Sequence, residues 1–172
     1  MINKLIDDES VLLCKKMIEQ HDNIVIICHM SPDGDAIGSS LGLYHFLDRL
    51  GKNATVVVPD LFPQNLQFLK GSREIVVYTR YPEFAESLIE KADLIFCLDF
   101  NALSRIDAMA DAVAASPARK VMIDHHLYPE ELFEGANWGG DLIQMSYPAF
   151  TPEGKMVHSF TNSHDLYLSD LS

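Results

Sequence analysis

Three stretches of the chain place imidazole and carboxylate groups directly after short apolar runs. The side chains concerned are His29, Asp33, Asp35, Asp99, Asp124, His125 and His126. A buried carboxylate without a partner is costly, and two carboxylates close together repel each other. A single aspartate after a strand is usually a helix cap or a turn former. Three such sets, two of them with histidine, are harder to explain as caps, and we predict that they bind metal.

The residue types narrow the choice of metal and of chemistry. Mixed imidazole and carboxylate ligands suit Mn, Fe, Co or Zn, and the lack of cysteine in these stretches argues against a structural zinc site. This many carboxylates could hold two cations about 3.5–4 Å apart through a shared ligand. Such a pair polarises a phosphoryl group and lowers the pKa of bound water. Gly34 and Gly38 permit a tight turn before a helix whose N-terminus can support an anion.

Alternating strands and helices would position these groups. The predicted helices cover residues 10–21, 36–51, 82–92 and 104–116, with a short helix or turn over 63–71, and the predicted strands cover 23–29, 54–59, 74–79, 93–100 and 119–126. Ser10 is the expected N-cap of the first helix, and Gly51 the expected stop of the second. The run NIVIIC is almost entirely apolar, as in a strand buried on both faces.

This order of elements predicts an α/β fold: a parallel sheet of about five strands with helices on both faces. Ligands of such sheets bind beyond the carboxyl ends of the strands. The three metal-binding stretches each follow a predicted strand, so we expect them to meet at one edge of the sheet.

Composition and charge exclude several classes of function. The formal net charge is −12, from 13 Lys and Arg against 25 Asp and Glu, which disfavours a nucleic-acid reader with a basic patch, and in particular a binder of long duplexes. A phosphate substrate remains compatible with this negative charge if bound cations supply positive charge at the site. Three cysteines without a CxxC pair, and the absence of a signal peptide or a membrane-length apolar stretch, predict a cytoplasmic protein away from membranes.

The motifs HMSPDGDAIGSSLGL, CLDF and MIDHH together resemble the DHH phosphoesterase superfamily. The AIGS version of the first motif is most similar to the branch of nanoRNases, which are oligoribonucleases and 3′-phosphoadenosine-5′-phosphate phosphatases, and to DHH domains that cleave dinucleotides. The resemblance implies a fold of the DHH-domain type and a two-metal site. It implies Mn²⁺ as the cofactor, with Mg²⁺, Co²⁺ or Fe²⁺ as alternatives.

The resemblance also implies a ligand set. His29 and Asp33 would bind one metal, Asp35 and His125 the other, and Asp99 would bridge the two.

Three further residues receive roles by resemblance or by position. His126 would face the scissile phosphate and stabilise its developing charge, and Asp124 would orient a histidine. Arg105 is either a phosphate contact or an exposed helix charge.

The resemblance covers about residues 10–134 and implies an incomplete DHH domain over residues 1–134. A divergent tail over 135–172 follows, without a recognisable second domain. The family pattern leads us to expect a further metal-binding aspartate downstream of the triplet, and Asp141, Asp165 and Asp170 lie outside any matching motif. The tail shows no sustained helix or strand period, so we expect irregular backbone there.

The resulting hypothesis is a metal-dependent phosphoesterase of short oligoribonucleotides, dinucleotides or 3′-phosphoadenosine-5′-phosphate, acting through metal-activated water. Two alternatives stay open: an inorganic pyrophosphatase of the same superfamily, and a truncated domain that binds metal or nucleotide without turnover. Surfaces left uncovered by the missing part of the fold would favour self-association, for example as a homodimer.

Overall fold

The computed structural model describes residues 8–124, 126, 141–142, 149–150, 155–159 and 166–170. Its helices are α1 (Asp8–Gln20), α2 (Gly34–Arg49), α3 (Pro82–Lys91) and α4 (Ala110–Ala115), with 3₁₀ turns at Gln64–Leu66 and Leu103–Met109. Its strands are β1 (Asn23–Cys28), β2 (Asn53–Val58), β3 (Val76–Val77), β4 (Leu94–Leu98), β5 (Arg119–Ile123), β6 (Asp141–Leu142), β7 (Ala149–Phe150), β8 (Lys155–Ser159) and β9 (Leu166–Asp170). Within this described part, no helix has both the length and the apolar character needed to cross a membrane.

Six strands form one sheet in the order β3-β2-β1-β4-β5-β6, and every neighbouring pair is parallel. Five of these strands precede residue 126, which confirms the predicted α/β fold and its strand count. The chain runs outward from β1 to β3, then returns to the other side of β1 with β4. The strand order therefore reverses between β1 and β4, at the centre of the sheet.

Helices cover both faces of the sheet. Successive side chains of a strand point to opposite faces, and the apolar side chains of β1 therefore need cover on both. Ile24, Ile26 and Cys28 pack into a core with α1 and α2. Val25 and Ile27 face the other way, into a core with α3 and α4. Residues 24–28 are all buried, which explains why the NIVIIC run is continuously apolar instead of alternating.

Local capping residues set the bounds of the helices that follow β1 and β3. Asp33 is the N-cap of α2 and accepts hydrogen bonds from two backbone N–H groups of its first turn. Gly51 has a φ of 75°, the left-handed conformation that glycine adopts at little cost after a helix, and it ends α2 as predicted. Pro82 occupies the first turn of α3, where its missing N–H is not needed.

Two predicted helices differ from the structure. Ser10 lies inside α1 (Asp8–Gln20), so its prediction as an N-cap is wrong. The single helix predicted over 104–116 is a 3₁₀ segment followed by the short α4. Asp107, with a φ of 46°, interrupts the helical backbone within the 3₁₀ segment.

The predicted strand over 74–79 is also shorter than expected. It is reduced to the two residues of β3, which forms the edge of the sheet and pairs with β2. Short edge strands leave few unpaired backbone groups available to other chains.

Short strands also occur where the sequence led us to expect irregular backbone. Strand β6 pairs with β5, and β7, β8 and β9 form a separate antiparallel sheet. The sequence of β9 carries a local strand signal, since Leu166 and Leu168 are two positions apart, which is the period of a strand.

Candidate metal centre

The carboxyl ends of the parallel strands converge at one edge of the sheet. His29 follows β1, Asp60 follows β2 by two residues, Asp99 follows β4 and Asp124 follows β5. His29 and Asp99 therefore flank the point between β1 and β4 where the strand order reverses. Crevices at such switch points are the usual ligand sites of open parallel sheets.

His29 and Asp99 are in direct contact across this switch point. Nε2 of His29 lies 3.4 Å from Oδ2 of Asp99, and both side chains are buried. The Asp99 contact raises the pKa of His29, outweighing the opposing effect of burial. Nδ1 of His29 lies 2.7 Å from the carbonyl oxygen of Met30. A carbonyl can only accept, so Nδ1 carries the hydrogen and Nε2 is the nitrogen available to a metal ion.

Asp33 contributes a second carboxylate to this group. Its Oδ1 accepts hydrogen bonds from the backbone N–H groups of Asp35, at 2.9 Å, and Ala36, at 3.1 Å. The bond from Ala36 is the main reason why the pKa of Asp33 is lowered. The capping role thus holds the carboxylate ionised and oriented while its second oxygen can bind elsewhere. Ligand atoms of His29, Asp33 and Asp99 all lie within 4.8 Å of one another.

Asp99 also belongs to a second group of donors, with Asp124 and His126. The Asp124 carboxylate accepts two hydrogen bonds from His126, from the backbone N–H at 2.9 Å and from Nδ1 at 2.7 Å. The same Nδ1 lies 3.8 Å from Oδ1 of Asp99. Asp124 is fully buried, whereas 42% of the His126 side chain is exposed. The buried carboxylate thus fixes the orientation of an imidazole at the mouth of the site.

The backbone of Asp99 is itself unusual. Its φ is 61°, in the left-handed region that non-glycine residues seldom adopt. Its N–H donates to the carbonyl of Ile123 at 3.0 Å, which ties the end of β4 to the end of β5. Such backbone conformations persist where the surrounding structure enforces them, and they concentrate at functional sites.

Three predicted site residues remain to be placed. Asp35 is half-buried in the first turn of α2 and belongs to neither donor group. His125 lies outside the described residues. Arg105 is exposed on the 3₁₀ segment; its carbonyl accepts from the N–H of Met30 at 2.7 Å, and its charge is close enough to His29 to oppose protonation there.

The donor set around Asp99 fits a divalent cation. Nitrogen and oxygen ligands bind such ions at about 2.0–2.2 Å, so two ligands of one ion lie at most about 4.4 Å apart. The 3.4 Å separation of His29 and Asp99 is within this limit. The donor atoms of the group with Asp33 lie within 4.8 Å of one another, so the group needs at most a small side-chain adjustment to meet this limit.

Sequence reasoning missed two residues that shape this edge. Asp60 accepts a hydrogen bond from the backbone N–H of Ser31 at 2.6 Å. Asn101 is buried, and its side-chain amide donates to the carbonyl of His126 at 3.2 Å. Both lie just after strands, as Asp99 and Asp124 do, so their position relative to the strands would also have selected them.

Comparison with known proteins identifies a family and several relatives that the chain resembles. Residues 23–139 match the model of the DHH family, N-terminal domain. The chain is 43% identical over 83 residues to the bifunctional oligoribonuclease and PAP phosphatase NrnA of Thermus thermophilus, covering 48% of this chain and 23% of that protein. It is 28% identical over 122 residues to the cyclic-di-AMP phosphodiesterase PdeA of Listeria monocytogenes, covering 68% of this chain and 18% of that protein.

Among solved structures, an exopolyphosphatase-related protein from Bacteroides fragilis superposes with a TM-score of 0.77 and 54% sequence identity. The match covers 83% of this chain and 40% of that one. The matched region spans less than a quarter of the length of the two curated relatives.

Proposed function

Because the chain belongs to the DHH family, we propose that it is a divalent-metal-dependent phosphoesterase acting on short oligoribonucleotides, dinucleotides or 3′-phosphoadenosine-5′-phosphate. The relatives support this range of substrates, since one is named as an oligoribonuclease and PAP phosphatase and another as a cyclic-di-AMP phosphodiesterase. Both substrate classes are small molecules with a phosphate ester.

The observation that carries the proposal is the shared position of Asp99. Its carboxylate belongs to one donor group with His29 and Asp33 and to another with Asp124 and His126. One buried carboxylate between two donor groups is the arrangement that a bridging ligand requires.

We propose that His29, Asp33 and Asp99 hold one Mn²⁺ ion, and that Asp35 and His125 complete a second site around Asp99. Divalent ions at such a site polarise a phosphoryl group and generate a nucleophile from water near neutral pH. Mn²⁺ suits the mixture of imidazole and carboxylate, and Mg²⁺, Co²⁺ or Fe²⁺ are the alternatives.

The chain's own groups bind and orient the substrate. Asp124 holds His126 by its ring and by its backbone, and Asn101 holds the His126 carbonyl, so the exposed imidazole is preorganised. Because Nδ1–H already donates to Asp124, it is the imidazolium form of His126 that can donate from Nε2 to phosphate oxygens as their charge develops. Arg105, exposed beside His29, is a candidate for a second phosphate contact.

The test is hydrolysis of a diadenosine dinucleotide, 3′-phosphoadenosine-5′-phosphate and pyrophosphate with Mn²⁺, by the parent chain and by Asp99→Asn. Asparagine tolerates the left-handed backbone at this position. We expect the parent to hydrolyse at least one of the two nucleotides, and Asp99→Asn to lose that activity by at least about a hundredfold. Asp93→Asn, at the opposite edge of the sheet, is the control and should remain active.

Two results would overturn the proposal. Turnover of pyrophosphate in preference to both nucleotides would make the protein a pyrophosphatase. Mn²⁺ binding without turnover of any of the three compounds would make it a binding domain. The expected homodimer and cytoplasmic location stay predictions.

A further inference from the structure

A hydrogen bond connects the end of β2 to the loop that follows β1. The backbone N–H of Ser31 donates to Oδ1 of Asp60 at 2.6 Å, and the Ser31 hydroxyl donates to Oδ2 at 3.5 Å. Ser31 has a φ of 52°, a strained value for a serine. The Asp60 carboxylate thus secures a backbone conformation that a serine would seldom adopt unaided.

The same peptide group forms a second hydrogen bond, to a predicted metal ligand. The N–H of Ser31 and the carbonyl of Met30 belong to one amide, and that carbonyl accepts from Nδ1 of His29 at 2.7 Å. The groups therefore form a continuous series: the Asp60 carboxylate, the amide between Met30 and Ser31, and the His29 imidazole. A carboxylate at the N–H end of an amide polarises it and makes its carbonyl a stronger acceptor.

We propose that Asp60 is a positioning residue for metal binding, acting on His29 through the amide between Met30 and Ser31. This inference rests on the proposed function, in which Nε2 of His29 binds the ion. Metal-binding histidines usually donate their second ring N–H to a carboxylate or a carbonyl, which fixes the tautomer and raises ligand basicity. Here a carbonyl is the direct acceptor, and a carboxylate reinforces it from the far side of the amide.

The opposite edge of the sheet provides a matched control. Asp93 accepts hydrogen bonds from the backbone N–H of Asn23 at 2.9 Å and from that of Asp22 at 3.3 Å. It therefore links neighbouring strands by the same type of bond as Asp60. The carbonyl of the amide between Asp22 and Asn23 accepts from the N–H of Asn53 and not from the ring of a predicted metal ligand. A purely structural role for Asp60 would make the two positions equivalent in their effect on metal binding.

The experiment compares the parent with Asp60→Ala, Asp60→Asn, Asp93→Ala and Asp93→Asn. One readout is the Mn²⁺ dissociation constant by calorimetry. The other is the ¹⁵N NMR signature of the His29 ring in the metal-free protein, recorded where the imidazole is neutral and assigned with His29→Gln. The NMR readout reports the tautomer directly and needs neither metal nor activity.

We expect Asp60→Ala to weaken Mn²⁺ binding about tenfold and to reduce the population of the Nδ1–H tautomer of His29. Asp60→Asn keeps an acceptor without the charge and should lie between Asp60→Ala and the parent, at about threefold weaker binding. Both Asp93 variants should match the parent in dissociation constant and tautomer.

Parent-like Mn²⁺ affinity and parent-like tautomer in Asp60→Ala would overturn the inference. If that variant does not fold, Asp60→Asn decides by the same two readouts, and parent-like values there overturn it. A parent chain that binds no Mn²⁺ would instead refute the proposed function, and the tautomer comparison would still decide whether Asp60 positions His29.

Discussion

The two edges of the parallel sheet both use aspartates at strand ends, but in opposite ways. At the amino edge, Asp93 accepts from the backbone and side chain of Asn23, and Asp22 pairs with the ammonium of Lys52 at 2.8 Å. At the carboxyl edge, Asp99 and Asp124 are buried and face imidazoles instead of ammonium groups.

The difference shows which edge is built for stability and which for a ligand. Burying carboxylates near one another disfavours folding unless a positive charge or a hydrogen-bond donor compensates. Histidine compensates only partly, because it is neutral over much of the physiological range. A cation at the carboxyl edge would supply the missing charge, whereas the amino edge is complete with the side chains it has.

The largest expected effect is the stabilisation of the fold by Mn²⁺, which should depend on the carboxyl edge of the sheet and not on the amino edge. Saturating Mn²⁺ at about 100 times its dissociation constant should stabilise the parent by about 2.7 kcal/mol. For a chain of this size, that corresponds to a rise in Tm of about 5–10 °C, which EDTA should reverse. Asp99→Asn should abolish the shift and Asp93→Asn should keep it, as measured by calorimetric melting. An equal shift in all three proteins would place the bound metal elsewhere.

The second prediction concerns pH at the carboxyl edge. The pKa of His29 is raised by Asp99, so the metal-free fold gains stability from protonated His29. That gain is complete below the unfolded-state pKa of about 6.5 and is lost as the pH rises through the higher folded-state value. Mn²⁺ requires neutral imidazole, so its affinity should increase over the same window. Urea unfolding of the metal-free protein and Mn²⁺ titration across this window measure the two trends.

His29→Gln is the control. It should remove the contribution of His29 to the pH dependence of stability and to the pH dependence of Mn²⁺ affinity. An Mn²⁺ affinity that does not change across the window in the parent would show that His29 is not a ligand.

The smallest expected effect is at the amino edge. Asp93→Ala removes the acceptor of its hydrogen bonds to Asp22 and Asn23, and should destabilise the fold by about 1 kcal/mol. Urea unfolding measures this loss, and the Mn²⁺-induced rise in Tm should equal that of the parent. A reduced response to Mn²⁺ in Asp93→Ala would mean that the two edges are not independent.

Local patterns in the sequence were sufficient for the first five strands of the sheet and for the edge at which Asp99 and Asp124 lie. The apolar runs of β1, β4 and β5 identify buried parallel strands, and their carboxyl ends identify where Asp99 and Asp124 lie. Because parallel strands run in one direction, their carboxyl ends lie at the same edge of the sheet. The strand predictions alone therefore place Asp99 and Asp124 at one edge.

The remaining features depend on contacts between distant segments. The bond between Asp60 and Ser31 joins loops 29 residues apart, and the left-handed backbone of Asp99 depends on packing that no local propensity encodes. The interruption of the predicted helix at Asp107 is of the same kind, because the alanine-rich sequence around it favours helix.

The most direct test of the account is a crystal structure of the protein soaked in Mn²⁺, with the ions located by anomalous scattering. The account predicts an ion bound by Nε2 of His29 and by carboxylate oxygens of Asp33 and Asp99, at about 2.0–2.2 Å from each. Ions bound only at other places, with His29 and Asp99 still in contact with each other and with no metal between them, would contradict it.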